Sequence, residues 1–171
     1  MSLNLMISRH FITIVVCILL VCATGTARCA EEQSLFLQVI KQPEGTVLLE
    51  FPVAVQDLFY IDYTHSSDHT PVHDIFTIDD RGTIILIEED YAWYGAGLEF
   101  HPRAQANISF TGDRVRVFLD RVFPQIPLRV GRVAGHTLTY KDRTIPLLTI
   151  AEGGDRVWIV TVHKGGTRDR Q

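Results

Sequence analysis

The segment LFYIDYTHSSDHTPVHDIFTI, residues 58–78, decides the fold, because two runs of alternating apolar residues flank a polar stretch. The runs 58–65 and 72–78 follow a period of two, and Asp74 is the polar exception on the apolar side of the second run. That period is typical of strands with one buried face. Residues 66–71 are rich in serine and histidine and end in a proline, which favours a loop. The segment therefore predicts an antiparallel hairpin with one face towards a core.

The phase of this hairpin brings one histidine and one acid to the same predicted face. His65 continues the apolar positions of the first run, and Asp74 is in phase with Val72 and Phe76. His73 falls on the opposite face. Leaving a buried polar group unpaired costs about 1 to 3 kcal/mol. The favoured hypothesis is therefore a hydrogen-bonded His65–Asp74 pair that fixes the loop.

Two other interpretations of the histidine-rich segment remain open. In the first, His65 and His69 bind a metal ion, although strand histidines on opposite faces cannot converge on one zinc ion. In the second, His65 is the base of a hydrolase, Asp74 orients it, and Ser66 or Ser67 is the nucleophile. Ser66 is poorly aimed for this role, because neighbouring residues of a strand point to opposite faces.

The rest of the chain contains more short runs rich in β-branched and aromatic residues, separated by turn-forming residues. No long helical period follows the N-terminal segment. We therefore predict an all-β fold, a single-domain antiparallel β-sandwich or partly open barrel over residues 31–163. PQIPLRVG (124–131) contains two prolines, which suits an edge strand or an extended loop. The other predicted strands are 35–40, 46–53, 83–89, 107–110, 114–120, 136–141, 144–150 and 156–162.

The two ends of the chain differ from this pattern. An uninterrupted apolar run, 11–23, follows Arg9 and precedes small residues, which is the layout of a secretory signal peptide over residues 1–27. The run is shorter than the roughly 20 residues that a spanning helix needs, so contact with the membrane is expected to be transient. Residues 164–171 are polar and predicted to be a flexible tail. These features predict a periplasmic or secreted protein.

The charge of the chain excludes one class of partner. The formal net charge is −4, so no overall field attracts nucleic acid. The arginines between 114 and 132 are interrupted by acids and are interpreted as a solvated face.

A second dense motif is EEDYAWYGAGLEF, residues 88–100. Its three acids, 88–90, are predicted to form a solvated strand end. Its aromatic residues either line a ligand cleft or fill the core, and its glycines suggest positive φ or close approach by another group. No phosphate-binding glycine pattern is present, and no cofactor is predicted. The aromatic and glycine positions are Tyr91, Trp93, Tyr94, Gly95 and Gly97.

With YTHSSDHTPVHDIF (63–76) and EEDYAWYGAGL (88–98) both in view, the chain resembles the bacterial family of unknown function DUF1850. Three residues depart from the family pattern: Ser67, Asp74 and Glu99. The resemblance points to binding candidates in both motifs rather than to catalytic or metal-ligating residues. These candidates are His65, Ser66, Pro71, Asp74, Tyr91, Tyr94, Gly95 and Gly97.

Members of that family are often encoded beside TRAP-type transporters of the TAXI subclass. The resemblance therefore implies an exported accessory or binding protein of a solute uptake system. The partners it implies are a TAXI-type receptor, the permease subunits, or a small organic-acid solute. The alternative from the residues is a periplasmic hydrolase that uses His65 and Asp74.

Overall fold

Eleven strands and one short 3-10 helix form the described part of a computed structural model, residues 34–66, 69–92 and 107–165. These residues belong to one compact unit, Gln33–Gln171. The predicted signal peptide, 1–27, lies outside them. The described residues include no helix with the length and hydropathy needed to cross a membrane. In chain order the elements are β1 (Ser34–Gln42), β2 (Thr46–Val53), β3 (Leu58–Thr64), β4 (Pro71–Ile78), β5 (Ile84–Tyr91), β6 (Asn107–Thr111), β7 (Arg114–Phe123), β8 (Ile126–Arg129), β9 (Thr137–Tyr140), β10 (Arg143–Pro146), η1 (Leu147–Thr149) and β11 (Arg156–Lys164).

The strands form two open antiparallel sheets that pack face to face. The smaller sheet has the order β2-β1-β11-β8, and the larger has the order β10-β9-β3-β4-β5-β7-β6. Alternate residues of both sheets fill one core, which explains why the strand sequences follow a period of two. The predicted all-β sandwich is confirmed. Core residues include Leu37, Val39, Phe51, Phe59, Ile61, Phe76, Ile78, Ile84, Leu86, Leu138, Val157 and Ile159.

The hairpin predicted for residues 58–78 is confirmed as β3 and β4. Its register places Ile61 opposite Asp74 and Asp62 opposite His73. Asp74 therefore shares the core-facing side, and His73 lies on the outer face, as the phase predicts. The backbone N–H of His65 donates to the carbonyl of Thr70 at 2.8 Å and closes the loop.

A β-bulge at Ile87 changes the phase of β5. Leu86 pairs with Phe76 of β4, and Glu88 pairs with Ile75, so Ile87 is an extra residue. After the bulge, Glu89 is opposite the core-facing Asp74, and Asp90 is opposite the outward His73. The bulge therefore turns Glu89 to the core-facing side of the larger sheet and leaves Glu88 and Asp90 on its outer face.

One strand prediction is wrong. The sequence pattern predicts one strand over 144–150, but β10 ends at Pro146 and the chain turns into η1. Proline has no N–H for the ladder, so pairing stops there. β11 continues to Lys164, whose side chain forms an ion pair with Glu50. The proline-containing 124–131 provides edge strand β8, as expected.

A buried tyrosine joins the two sheets. The Tyr140 hydroxyl donates to the carboxylate of Asp57 at 2.6 Å and lies 3.1 Å from the carbonyl of Pro52 in the smaller sheet. Burial acts to raise the pKa of Asp57, but hydrogen bonds from Tyr140 and from the backbone of Ala54 outweigh it and lower this pKa. The phenol therefore ties β9 to the loop before β3 and to the edge strand β2.

Tyr140→Phe is expected to lower the free energy of unfolding by about 1 to 3 kcal/mol, because Asp57 and Pro52 lose their donor. Urea denaturation measures this loss. Thr139→Val is the control, since the Thr139 hydroxyl makes a solvent-exposed hydrogen bond with that of Thr144, and a change within about 0.5 kcal/mol is expected. Equal losses in both variants would contradict the role given to Tyr140.

Candidate functional site

An open groove of about 500 Å³ lies where the β3–β4 hairpin meets β7 and the loop before β9. The hairpin supplies both the outward residues of its two strands and the first residues after the loop. The groove is therefore built largely from the motif that also decides the fold. Its lining residues are Asp62, Tyr63, Thr64, Pro71, Val72, His73, Arg114, Ala134, Gly135 and Thr137.

The outer wall of the groove carries a histidine–carboxylate pair. His73 Nδ1 lies 2.6 Å from Asp62 Oδ1, and the two side chains are 33% and 46% exposed. The ring of His73 also stacks on Tyr60, with centroids 5.2 Å apart and planes 14° from parallel. The two residues are directly opposite each other on β3 and β4, so the cross-strand register holds this pair at the groove wall.

An arginine from β7 forms the opposite side. The Nε of Arg114 donates to both carboxylate oxygens of Asp90, at 2.9 and 3.1 Å. Asp90 is 7% exposed, and its hydrogen bond raises the pKa of Arg114. Arg116, which does not line the groove, lies 3.6 Å from the same carboxylate. Asp90 therefore holds a permanent positive charge at the groove wall.

The loop before β9 closes the end of the groove. The N–H of Thr64 donates to the carbonyl of Ala134 at 2.8 Å. Gly135 has a φ of +59°, a backbone conformation that residues with a side chain rarely adopt. His136 packs against Tyr63 with ring centroids 5.5 Å apart, and burial lowers the pKa of this histidine. The groove end is therefore set by backbone bonds and packing rather than by charge.

On the core-facing side of the same strands lies a pair of acids. Asp74 and Glu89 are directly opposite each other on β4 and β5, and Glu89 is 6% exposed. Burial and then the charge of Glu89 raise the pKa of Asp74 to about 8, although Arg121 opposes this. Burial and the same two acids raise the pKa of Tyr63. Asp74 is therefore a mostly protonated acid at neutral pH.

These acids separate the main core from a smaller apolar cluster. The smaller cluster consists of Val72, Tyr91, Val115 and Val117. Arg121 Nη2 lies 3.5 Å from Glu89 Oε1 and supplies the countercharge. The expected solvated strand end is therefore wrong for Glu89 and Asp90, and the arginines of β7 are their partners rather than a merely solvated face.

The predicted site residues do not all lie at the groove. His65 is half-buried at the end of the hairpin, Ser66 is exposed, and Pro71 lines the groove. Tyr91 is 0% exposed and belongs to the smaller apolar cluster, so it is a core residue. Three further candidates, Tyr94, Gly95 and Gly97, lie outside the described residues, as does Trp93.

Within the described residues, no hydrogen bond is found between His65 and Asp74. Asp74 Oδ1 is buried and has no hydrogen-bond partner among the described residues. The charged groups that act on Asp74 are Glu89, Arg121 and Asp62. The two residues share a side of the hairpin, but the register places Asp74 opposite Ile61 on β3, four residues before His65, and opposite Glu89 on β5.

Sequence reasoning missed the groove's own polar residues. The register that sets Ile61 against Asp74 also sets Asp62 against His73, so this pair was available from the hairpin alone. The Arg114 and Asp90 side chains are 24 residues apart in sequence, and their contact depends on the pairing of β5 with β7. No short stretch of the sequence therefore indicates it. Among the residues that the structure describes, no group of three or more His, Cys, Asp or Glu side chains is placed to hold a metal ion.

Comparison with known proteins agrees with the two motifs. The model of the family described as "Domain of unknown function (DUF1850)" matches residues 59–147, from β3 through the start of η1. No curated protein and no solved structure was found to match the chain. The matched segment contains every residue that lines the groove and covers more than half of the sequence. The chain therefore belongs to the DUF1850 family.

Proposed function

We propose that this protein is an exported binding module that takes a small organic acid into the groove beside the β3–β4 hairpin. One observation carries the proposal: a fixed guanidinium faces a groove large enough for a small molecule. Small-molecule sites typically combine apolar walls with a few convergent polar groups. Here Tyr63, Pro71 and Ala134 are the less polar residues of the lining, and Thr64 and Thr137 bear hydroxyl groups.

The orientation of Arg114 favours an anionic ligand. Its two hydrogen bonds to Asp90 both come from Nε, and the guanidinium group has four further N–H donors on its terminal nitrogens. A guanidinium presents these donors in a planar fork that matches a carboxylate. Because Asp90 already orients the side chain, little conformational entropy is lost when a carboxylate binds.

The biological setting of the proposal comes from the family resemblance. An N-terminal segment with the layout of a signal peptide supports export to the periplasm. We propose that the module serves a TAXI-type TRAP uptake system, through contact with its receptor or permease subunits. Co-purification with such a receptor or permease tests this association, and a folded chain that retains neither partner would contradict it.

A binding experiment tests the ligand class. In calorimetric titration of the purified protein with acetate, succinate and glutamate, we expect at least one acid to bind. Arg114→Gln should weaken that binding by about tenfold to a hundredfold, because a hydrogen bond to a charged group contributes about 1.5 to 3 kcal/mol.

Arg116→Gln is the matched control. Both arginines lie on β7 and within 4 Å of Asp90, but only Arg114 lines the groove. The control should therefore bind the acid within about twofold of the parent. Equal weakening by both variants, or no binding of any organic acid by a folded preparation, would contradict the proposed site.

A periplasmic hydrolase based on His65 and Asp74 has less support. Its base and orienting acid would need a hydrogen bond, whereas the charges that act on Asp74 come from Glu89, Arg121 and Asp62. Turnover that disappears in His65→Ala without unfolding would restore that hypothesis.

A further inference from the structure

The four edge strands of the two sheets are not equally protected. β2, β8 and β10 each contain a proline, at Pro52, Pro127 and Pro146, and each also contains a charged residue. Proline and charge are the usual means by which an edge strand avoids pairing with another chain. The fourth edge strand, β6, has the sequence NISFT and contains neither.

The apolar side chains of β6 are substantially exposed. Ile108 is 39% exposed and Phe110 is 64% exposed. They lie opposite Val117 and Val115 of β7, on the core-facing side of the sheet and beside the smaller apolar cluster. β6 therefore combines an outer edge in the described sheet with two side chains that would gain from further burial.

The sequence of β6 is complementary to itself in an antiparallel arrangement. If two copies pair about an axis at Ser109, this serine meets its own copy, and Ile108 meets Phe110 of the second copy. Asn107 then lies opposite Thr111, and no charges are brought together within the strand. Apolar residues meet on one face and small or polar residues on the other, which is the pattern that stabilises cross-strand pairs.

We propose that β6 is a homodimer interface, in which two copies of this chain pair edge to edge about a two-fold axis at Ser109. The two seven-stranded sheets then become one continuous fourteen-stranded sheet. This arrangement uses the same surface on both copies, as a two-fold interface requires. β6 contributes no residue to the lining of the groove, so the proposed dimer does not rest on the proposed ligand.

Sedimentation velocity tests self-association of the purified full chain. The dimer fraction is expected to rise with protein concentration between about 1 and 200 μM. Phe110→Lys should weaken dimerisation by at least about tenfold, because it places a charge opposite Ile108 of the second copy. Val122→Lys is the control: Val122 is 57% exposed but lies on β7, an interior strand, and its replacement should leave the dimer unchanged.

Cysteine cross-linking tests the register and does not depend on how the lysine variant folds. With the native cysteines replaced by serine, Ser109→Cys should form a covalent dimer under mild oxidation. Residues directly opposite each other in a sheet have Cα atoms about 4.5 to 5.5 Å apart, within the range of a disulfide. Thr111→Cys should not cross-link, because its two copies would lie roughly 13 Å apart along the strands.

Three results would overturn the proposal. One is a chain that stays monomeric over the whole concentration range. Another is a dimer that cross-links through Thr111→Cys but not through Ser109→Cys. The third is a monomeric chain whose β6 edge instead captures a strand of a different protein.

Discussion

Asp74→Asn is expected to stabilise the protein at pH 8 by roughly 2 to 4 kcal/mol, which would be an unusual gain for a change of a single atom. Each pKa unit by which folding raises an acid costs about 1.4 kcal/mol once the acid is ionised in both states. Folding raises the pKa of Asp74 from 3.8 to about 8. The expected gain is set below the full product, because Asp74 is only partly buried.

The pH dependence follows from the direction of the shift. Below about pH 4, Asp74 is protonated in both the folded and the unfolded chain, so its ionisation does not change the free energy of unfolding. Between about pH 4 and 8, the unfolded chain releases this proton and the folded chain retains it, so stability falls as pH rises. The stabilisation by Asp74→Asn should therefore grow across this window and level off above pH 8.

Urea denaturation of parent and variant at several pH values measures the difference in their free energies of unfolding. Titratable groups that the two chains share contribute equally to both and cancel in this difference. Asp80→Asn is the control, because Asp80 is an exposed acid in the turn after β4 and its replacement removes the same charge. A difference between Asp74→Asn and the parent that stays constant from pH 4.5 to 8 would show that burial and Glu89 do not raise the pKa of Asp74 in the folded chain.

Tyr91→Ala is expected to lower the free energy of unfolding by about 3 to 5 kcal/mol, the range seen when a buried aromatic residue is truncated. Tyr91 is 0% exposed, and it packs with Val72, Val115 and Val117 beside the buried acids. Its removal leaves a cavity between strands β4, β5 and β7 that the rigid sheet cannot close.

Chemical denaturation gives the size of this effect, and Phe118→Ala gives the comparison. Phe118 lies on the adjacent strand but is 41% exposed, so its truncation should cost less than about 1 kcal/mol. The experiment also separates the two interpretations of the second motif. A Tyr91→Ala variant of near-normal stability that had lost organic-acid binding would identify Tyr91 as a ligand contact instead of a core residue.

Local periodicity was sufficient to predict most strands and the faces of the central hairpin. Residues 58–78 alternate cleanly, and β-branched and aromatic residues mark the other strands, so the sandwich follows from short-range pattern. The same approach failed at 144–150, where an apolar run continues past Pro146 into a 3-10 turn. Apolar composition alone does not distinguish a strand from a buried turn.

The candidate site was only partly predictable, because its electrostatics depend on distant pairing. Three consecutive acids at 88–90 look solvated in the sequence, but β7 supplies Arg114 and Arg121 across the sheet. Sequence phase places His73 on the face opposite the predicted His65–Asp74 pair, and its ion pair with Asp62 lies at the groove. Register between strands that are far apart in sequence is set by the whole fold, and no local window contains it.

The extra residue in β5 also determines where this strand can lose one residue without turning its side chains to the wrong face. Strict alternation from the core-facing Ile84 would place Glu89 and Tyr91 on the outer face. The observed faces follow from alternation only when Ile87 is left out of the count. A chain that lacked Ile87 would present the same side chains to the same faces, whereas deletion of Asp90 would turn Tyr91 out of the core. Ile87 is therefore the position on β5 where a one-residue deletion is tolerated, and a gap in related sequences is expected there.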